Sequence, residues 1–275
     1  MIALLVMLAE APAAAASPAP PAATADPQTR LAEIRAAIDG GRLVQAELML
    51  GPVPAAPSPD ELRLFGDLRF AQQRFVEAAK LFLRLEQLQP SDSHTESRLG
   101  ISLLHLGRND DAETRLRKAA QLPGADWQTW NALGVLLDGR KAWVESRQAY
   151  GYALTLAPDQ PTVLNNAAYS LILQNHPAEA RDMLAKARAI APKDPRIIVN
   201  SEIADGMAGY YPKKRASNET DAQWAAHLNN AGYGAMLVGD LPKARALFAQ
   251  AIKASDTHYE AAEKNLARVE SQLGH

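Results

Sequence analysis

A seven-residue stretch of this chain occurs twice: LNNAAYS at Leu164–Ser170 returns as LNNAGYG at Leu228–Gly234, 64 residues later. Such a recurrence indicates an internal repeat. Periods of roughly 20 to 50 residues are typical of solenoids and repeat arrays, in which each unit must stack on its neighbours to bury its apolar face. Identifying the repeated unit therefore constrains the fold more than the composition does.

A shorter pattern defines that unit. It consists of a small residue, a bulky residue four positions later and a third residue, usually small, three positions after that. The first four copies are 34 residues apart and the last follows after 64. The copies are Ala78–Phe82–Leu85, Ala112–Leu116–Ala119, Ser146–Tyr150–Ala153, Ala180–Leu184–Ala187 and Ala244–Phe248–Ala251. This spacing places each triplet on one face of a helix.

Glycines occupy a matching position in the preceding helices. A glycine inside a helix costs about 1 kcal/mol relative to alanine, so these residues need a reason. We expect close approach of the paired helix, opposite the small residue of each triplet. The glycines are Gly66, Gly100, Gly134 and Gly232, and the small residues are Ala78, Ala112, Ser146 and Ala244.

The period of 34 and its marker residues resemble the tetratricopeptide repeat (TPR) family. The best single match is Trp127–Gln160, with Trp130, Leu133–Gly134, Tyr150 and Pro158 at family positions. The resemblance covers nearly all of the chain from Pro27 onward. It implies an all-α helical-hairpin solenoid, wound as a right-handed superhelix, with a C-terminal capping helix.

The domain organisation follows from the phase of the repeat. The stretch after Asp194 provides one helix but then a polar segment, Tyr210–Ala222, which we expect to be a loop replacing the missing second helix. The predicted segments are a signal-like Ala/Pro leader (1–26), a degenerate first repeat with its linker (27–58), four regular units (59–194), a broken repeat (195–224), a further unit (225–258) and the capping helix (259–275).

The N-terminal segment predicts export. An apolar run at Ile2–Leu8 is followed by small residues that match an A-x-A cleavage site at Ala14–Ala16. We therefore expect an exported, periplasmic protein, or a cytoplasmic one if this leader is not a signal. No stretch is long enough to predict a membrane span. Cysteine is absent, which excludes disulfides and thiolate sites.

The TPR resemblance also implies a ligand-facing surface. In TPR arrays the first helices line a concave face, and the family positions that face a ligand map onto polar residues of this chain. The predicted peptide-binding residues are Arg63, Arg98, Asn131, Asn165, Asn166, Tyr169, Asn200, Asn229, Asn230 and Tyr233, with Asp67, Gln128 and Thr162 at related positions. An asparagine amide has both donors and an acceptor and can pair with an extended peptide backbone.

Two interpretations of the asparagines stay open, because these amides also serve to bridge neighbouring helices. Tyr169 and Tyr233 suit either helix packing or ligand contact. The carboxylate-clamp pattern of co-chaperone TPR proteins is not met, since its asparagine position holds none. The basic triplet Lys213–Lys214–Arg215 is best explained as a solvated loop.

These observations predict a protein-binding scaffold. The net charge of −2 gives no indication of nucleic-acid binding. The six histidines form no H-E-x-x-H pair, and no Gly-rich phosphate loop or G-x-S-x-G motif occurs, so we expect no catalytic site, metal or cofactor. The partner is expected to be a protein or peptide, and the oligomeric state is left open.

The layout also resembles the TadD-like TPR proteins of Flp (tight-adherence) pilus assembly. The residues that carry this resemblance are Leu122–Gly134, Leu164–Leu173 and the sequence IIVNSEIADGMAG before the broken unit. It implies a role in assembling a pilus or secretion apparatus. Members of that family are typically lipoproteins, whereas this chain has no cysteine to acylate, so a soluble periplasmic form and a divergent relative are both open. A general periplasmic adaptor unrelated to pili is the alternative.

Overall fold

The structure is a computed structural model and describes residues 26–274, of which 75% are helical. The described residues contain fourteen helices and no strand. The helices are α1 (Pro27–Asp39), α2 (Leu43–Leu50), α3 (Pro59–Ala71), α4 (Phe75–Leu88), α5 (Ser93–His105), α6 (Asn109–Gln121), α7 (Trp127–Gly139), α8 (Trp143–Leu156), α9 (Pro161–Leu173), α10 (Pro177–Ile190), α11 (Pro195–Met207), α12 (Asp221–Leu237), α13 (Leu241–Ala254) and α14 (Glu260–Leu273).

The described residues divide into two compact units, 26–156 (unit 1) and 157–274 (unit 2). Unit 1 contains four packed helical pairs, from α1/α2 to α7/α8. Unit 2 contains the pairs α9/α10 and α12/α13, the unpaired helix α11 and the final helix α14. The predicted all-α array of helical hairpins is thereby confirmed. The leader predicted at the N-terminus lies, except for Asp26, outside the described residues.

The repeated triplets form the buried layer between paired helices. All fifteen residues are at most 3% exposed, including Ser146 in place of the usual alanine. The Ser146 hydroxyl donates to the Trp143 carbonyl at 3.1 Å, so its burial leaves no unpaired donor. The triplets thus bury the second helix of each pair along one stripe.

The four helical glycines do approach the partner helix, but at a different residue from the expected one. A Cβ at Gly66 would lie 2.7 Å from the Phe82 ring, and one at Gly134 would lie 2.8 Å from the Tyr150 ring. The nearest atoms belong to the bulky residue of each triplet, not to the small one. A long side chain in a helix points toward the preceding turn of that helix. The bulky side chain of the second helix, and not the small residue, therefore lies against the glycine of the first helix.

A left-handed backbone turn ends the first helix of each of five successive units, including the unpaired α11. It recurs at Gln73, Gly107, Lys141, Asn175 and Gly209, always 34 residues apart, with φ between 57° and 82°. After each of these residues an amide donates to the carbonyl five positions back, as Arg108 does to Leu103. This hydrogen bond satisfies a carbonyl at the helix end.

Helix α11 ends in the same turn, yet the chain stays non-helical until Thr220. In the repeat register, Lys214, Asn218 and Asp221 fall where other units bury a small, a bulky and a third residue. Polar groups there would lack partners in a helix–helix contact, so a second helix cannot pack. Helix α12 then begins at Asp221, within the segment 210–222 in which we expect a loop, because Thr220 and Gln223 form a capping box.

Helices α11 and α12 make direct backbone contact where the second helix is missing. A Cβ at Gly206 would overlap the backbone of Ala231, and one at Gly234 would overlap the backbone of Ile203. Tyr210 and Tyr211, at the start of the loop, lie against cations of the flanking helices: Arg181 of α10 stands 4.1 Å from the first ring and Lys243 of α13 stands 4.9 Å from the second.

Candidate binding site

The first helices of unit 1 enclose a cavity of about 300 Å³, the unit-1 cavity. It is lined by residues of α1, α3, α5 and α7, together with Leu43 of α2, Phe75 of α4 and the turn residues Gly41 and Gln73. Its polar members are Arg35, Asp39, Asp67, His94, His105, Arg98, Gln128 and Asn131, and its apolar members include Ile38, Leu43, Phe70, Phe75, Ile101 and Trp127. The volume is sufficient for one bulky side chain and adjoining backbone.

A charge cluster forms one wall of this cavity. Asp67 of α3 is buried, at 7% exposure. Its carboxylate has two partners, with Arg35 Nη1 at 3.3 Å from one oxygen and His94 Nε2 at 2.6 Å from the other. A buried carboxylate requires such partners, so this group holds α1, α3 and α5 together and is not free for a ligand.

Aromatic side chains form another part of the cavity wall. Phe70 and Phe75 meet edge to face with ring centroids 5.8 Å apart, and the His105 imidazole stacks on Phe75 at 3.9 Å. Burial lowers the pKa of His105, which favours its neutral form. The Arg98 guanidinium lies over the Phe70 ring, 4.6 Å from its centroid. This wall offers flat apolar area together with one cation.

Two of the three predicted unit-1 site residues lie together, and the third lies elsewhere. Arg98 and Asn131 both line the unit-1 cavity, although Asn131 is 0% exposed. Arg63 is instead directed at the N-terminus of α5, where its Nη2 lies 2.8 Å from Asp92 and its Nη1 donates to Thr95. That position ties α3 to α5.

The predicted asparagines of unit 2 form bridges between neighbouring first helices. Asn200 donates to Asn165 Oδ1 at 2.9 Å, and Asn265 donates to Asn229 Oδ1 at 3.0 Å. Asn165 and Asn229 occupy the same repeat position, so the bond itself is repeated. Both are buried, at 6% and 9% exposure, and these amides therefore have a structural hydrogen-bonding role.

The two remaining asparagines stand beside them. Asn166 is 8% exposed and accepts from Asn165 at 3.5 Å, which is the limit of a hydrogen bond. Asn230 donates to Glu202 Oε2 at 2.9 Å. Burial raises the pKa of Glu202, although Asn230 and the nearby His227 counteract the effect.

Tyr169 and Tyr233 are both half-buried. Burial raises the pKa of the Tyr233 phenol. Their exposed parts give unit 2 a mixed apolar and polar surface. As with the asparagines, whether they touch a ligand stays a prediction.

Several cavity residues do not appear among the predicted site residues. His94 occupies the same repeat position as Gln128 and Thr162, which the TPR resemblance already marks as ligand-facing, and Phe70 lies one turn after Asp67 on α3. Arg35 belongs to the degenerate first unit, where the alignment is too weak to place it. Phe75 and His105 lie at helix ends, outside the marked positions.

The described residues contain no group of three histidine, aspartate or glutamate side chains arranged to hold a metal ion. Among the helices of residues 26–274, none has the length and hydropathy needed to cross a bilayer.

The repeated helical pairs, the buried triplets and the cavity between first helices define the TPR type of fold. No protein-family model matches the sequence, and no curated protein shows significant similarity to it. Among solved structures, the chain is similar to PilW, described as a widely conserved type IV pilus biogenesis factor. The TM-score is 0.57 with 13% identity over 87% of this chain and 97% of that one.

Two further structures share the fold. A tetratricopeptide repeat protein from Parabacteroides merdae ATCC 43184 gives a TM-score of 0.52 with 14% identity, covering 88% of this chain and 98% of the other. The APC/C hetero-tetramer Cut9–Hcn1 gives 0.55 with 14% identity over 90% of this chain. This chain spans only 43% of the Cut9–Hcn1 chain it matches. At such identities the likeness establishes the fold alone.

Proposed function

We propose that this protein is a non-enzymatic scaffold that binds a segment of a partner protein in the unit-1 cavity. The observation that carries the proposal is the cavity itself. Its apolar aromatic wall is lined also by Arg98 and Gln128, whose side chains have no hydrogen-bond partner among residues 26–274. Apolar area with a few convergent polar groups is what a peptide site requires.

The unit-1 cavity is a stronger candidate than the asparagine row. The amide oxygens of Asn165 and Asn229 already accept hydrogen bonds from neighbouring helices, so a ligand there would compete with those bonds. The predicted residues Asn131, Asn166, Asn200, Asn230, Tyr169 and Tyr233 stay secondary candidates for partner contacts.

Two matched tryptophans test the proposal. Trp127 and Trp143 are each the first residue of a helix and are each half-buried, but only Trp127 lines the cavity. A library of synthetic twelve-residue peptides, capped at both ends, is selected on the wild-type protein. Binding of the selected peptides is measured by fluorescence anisotropy. Trp127→Ala should weaken binding about tenfold or more, whereas Trp143→Ala should leave it unchanged. Equal effects of the two variants would refute a site in this cavity.

We further propose that the process served is assembly of a pilus or secretion apparatus in the bacterial envelope. The support is the resemblance to TadD-like proteins at Leu122–Gly134 and Leu164–Leu173, and the shared fold with PilW. Purification from a native envelope extract should recover pilus secretin or ATPase components with wild-type protein but not with Trp127→Ala. Recovery of unrelated envelope proteins would favour a general periplasmic adaptor. Fractionation of cells expressing the full chain tests the export prediction.

A further inference from the structure

The unit-1 cavity holds two arginines whose surroundings differ. The Arg35 guanidinium is paired with the buried Asp67 carboxylate, which His94 also contacts. The Arg98 guanidinium lies on the face of Phe70 and has no carboxylate within ion-pair distance among residues 26–274. Arg35 therefore has an ion-pair partner within the protein, and Arg98 has none among residues 26–274.

The position of Arg98 suits it to receive an anion. Contact with an aromatic ring uses the flat face of a guanidinium and leaves its N–H edge available. That edge presents donors in a planar fork that matches the two oxygens of a carboxylate. The residue is half-buried among apolar groups, where a charge pair is screened less than at an exposed site.

Resting on the proposed function, we propose that the unit-1 cavity recognises an acidic side chain within a partner segment, next to a bulky apolar residue. The acidic carboxylate pairs with Arg98, and the neighbouring apolar side chain packs on Phe75 and Trp127. The occupant is an internal segment because Gln128, at the cavity edge, offers a donor and an acceptor to a continuing backbone.

The charge balance of the cavity supports a single carboxylate. Asp39 and Asp67 also line it, so a second negative group on the ligand would meet repulsion, while Arg98 alone can neutralise one. The remaining surface is mainly aromatic and aliphatic, which excludes a strongly hydrated polyanion. The recognised chemistry is thus one Asp or Glu flanked by Phe, Tyr, Trp, Leu or Met.

A double-mutant cycle tests this inference with the doubly capped peptides selected above. In each selected peptide the acidic residue is replaced, Glu→Gln or Asp→Asn, and in the protein Arg98→Met removes the cation. Each change alone should weaken binding about tenfold, and the two together should cost little more than either alone, because they remove the same pair. The pair should also weaken as salt rises.

Control variants separate loss of charge from loss of structure. Arg84→Met removes an exposed arginine of α4 outside the cavity and should leave binding unchanged. Arg98→Lys keeps the charge without the fork and should give an intermediate affinity, which serves as the test if Arg98→Met fails to fold. Thermal unfolding followed by circular dichroism establishes that each variant is folded.

The outcomes distinguish this inference from the function on which it rests. If Glu→Gln peptides bind wild-type protein as tightly as the originals while Trp127→Ala still abolishes binding, the scaffold function stands and the acidic preference is wrong. Each selected peptide is also measured with its C-terminal cap removed. If binding requires the free C-terminal carboxylate, the internal-segment assignment is wrong. If no peptide depends on Trp127, the proposed function itself fails.

Discussion

The contact between Gly134 and Tyr150 gives the sharpest prediction about the repeat. A methyl group at position 134 would lie 2.8 Å from the Tyr150 ring, closer than real Cβ contacts. That ring cannot move aside easily, because it is buried and its hydroxyl donates to Asp138 at 2.8 Å. Overpacking of this kind costs about 1–3 kcal/mol. The gain in helix propensity from glycine to alanine returns about 1 kcal/mol. Gly134→Ala should therefore destabilise the protein by about 1 kcal/mol.

Gly151 provides the matched control within the partner helix α8. A Cβ there meets nothing within 4 Å, so Gly151→Ala should stabilise by about 1 kcal/mol through propensity alone. The two variants should thus differ by about 2 kcal/mol in the free energy of unfolding, measured by urea denaturation with circular dichroism. If both substitutions stabilise the protein equally, the helices do not approach at Gly134, and the assigned pairing is wrong.

Three further predictions concern the turns, the asparagine bridges and pH. Lys141 has φ +57°, a backbone conformation that is strained for a residue other than glycine. Lys141→Gly should therefore stabilise the protein by about 1 kcal/mol in urea unfolding, and a lower urea midpoint for the variant would contradict this strain. Asn229→Ala leaves the Asn265 amide unpaired and should cost about 1–3 kcal/mol by the same assay, whereas no loss of stability would restore a purely ligand-facing role. Burial raises the pKa of Asp92, but hydrogen bonds from Arg63 and Thr95 outweigh it and lower the pKa from 3.8 to about 2. The resulting contribution to the free energy of unfolding is present above pH 3.8 and is lost as the pH falls toward 2. Between these pH values, the free energy of unfolding should therefore fall less in Arg63→Met than in the wild-type protein.

The repeat register was readable from the sequence because burial depends on residue size at fixed helical spacing. The triplet Ala112, Leu116 and Ala119 has a counterpart of similar size pattern in every regular unit, and each copy is buried where the pattern places it. The broken unit was readable for the same reason, since Lys214 stands where a small buried residue is needed. The glycine contacts were placed against the wrong neighbour, because side-chain lean along a helix is not visible in spacing alone.

The candidate site was less predictable. Asparagines at adjacent repeat positions were visible in the sequence, but their partners lie about 35 residues away on another helix. Whether an amide faces a ligand or a neighbour depends on small rotations of that helix. The unit-1 cavity includes residues of α1, whose sequence barely matches the repeat. Arg35 could therefore not be predicted as a cavity residue from its repeat position. Arg98 was included by position, yet its lack of a carboxylate partner is a property of the folded structure.

Site-specific photo-crosslinking tests the central claim that a partner segment occupies the unit-1 cavity. A photoreactive benzoylphenylalanine replaces Gln128 at the cavity edge or, as the control, the exposed Gln87 of α4. On irradiation in native envelope extract, the variant at position 128 should form a crosslink to a defined partner segment, and a selected peptide should compete it away. Crosslinking of the same partner from position 87 alone, with none from position 128, would contradict the account.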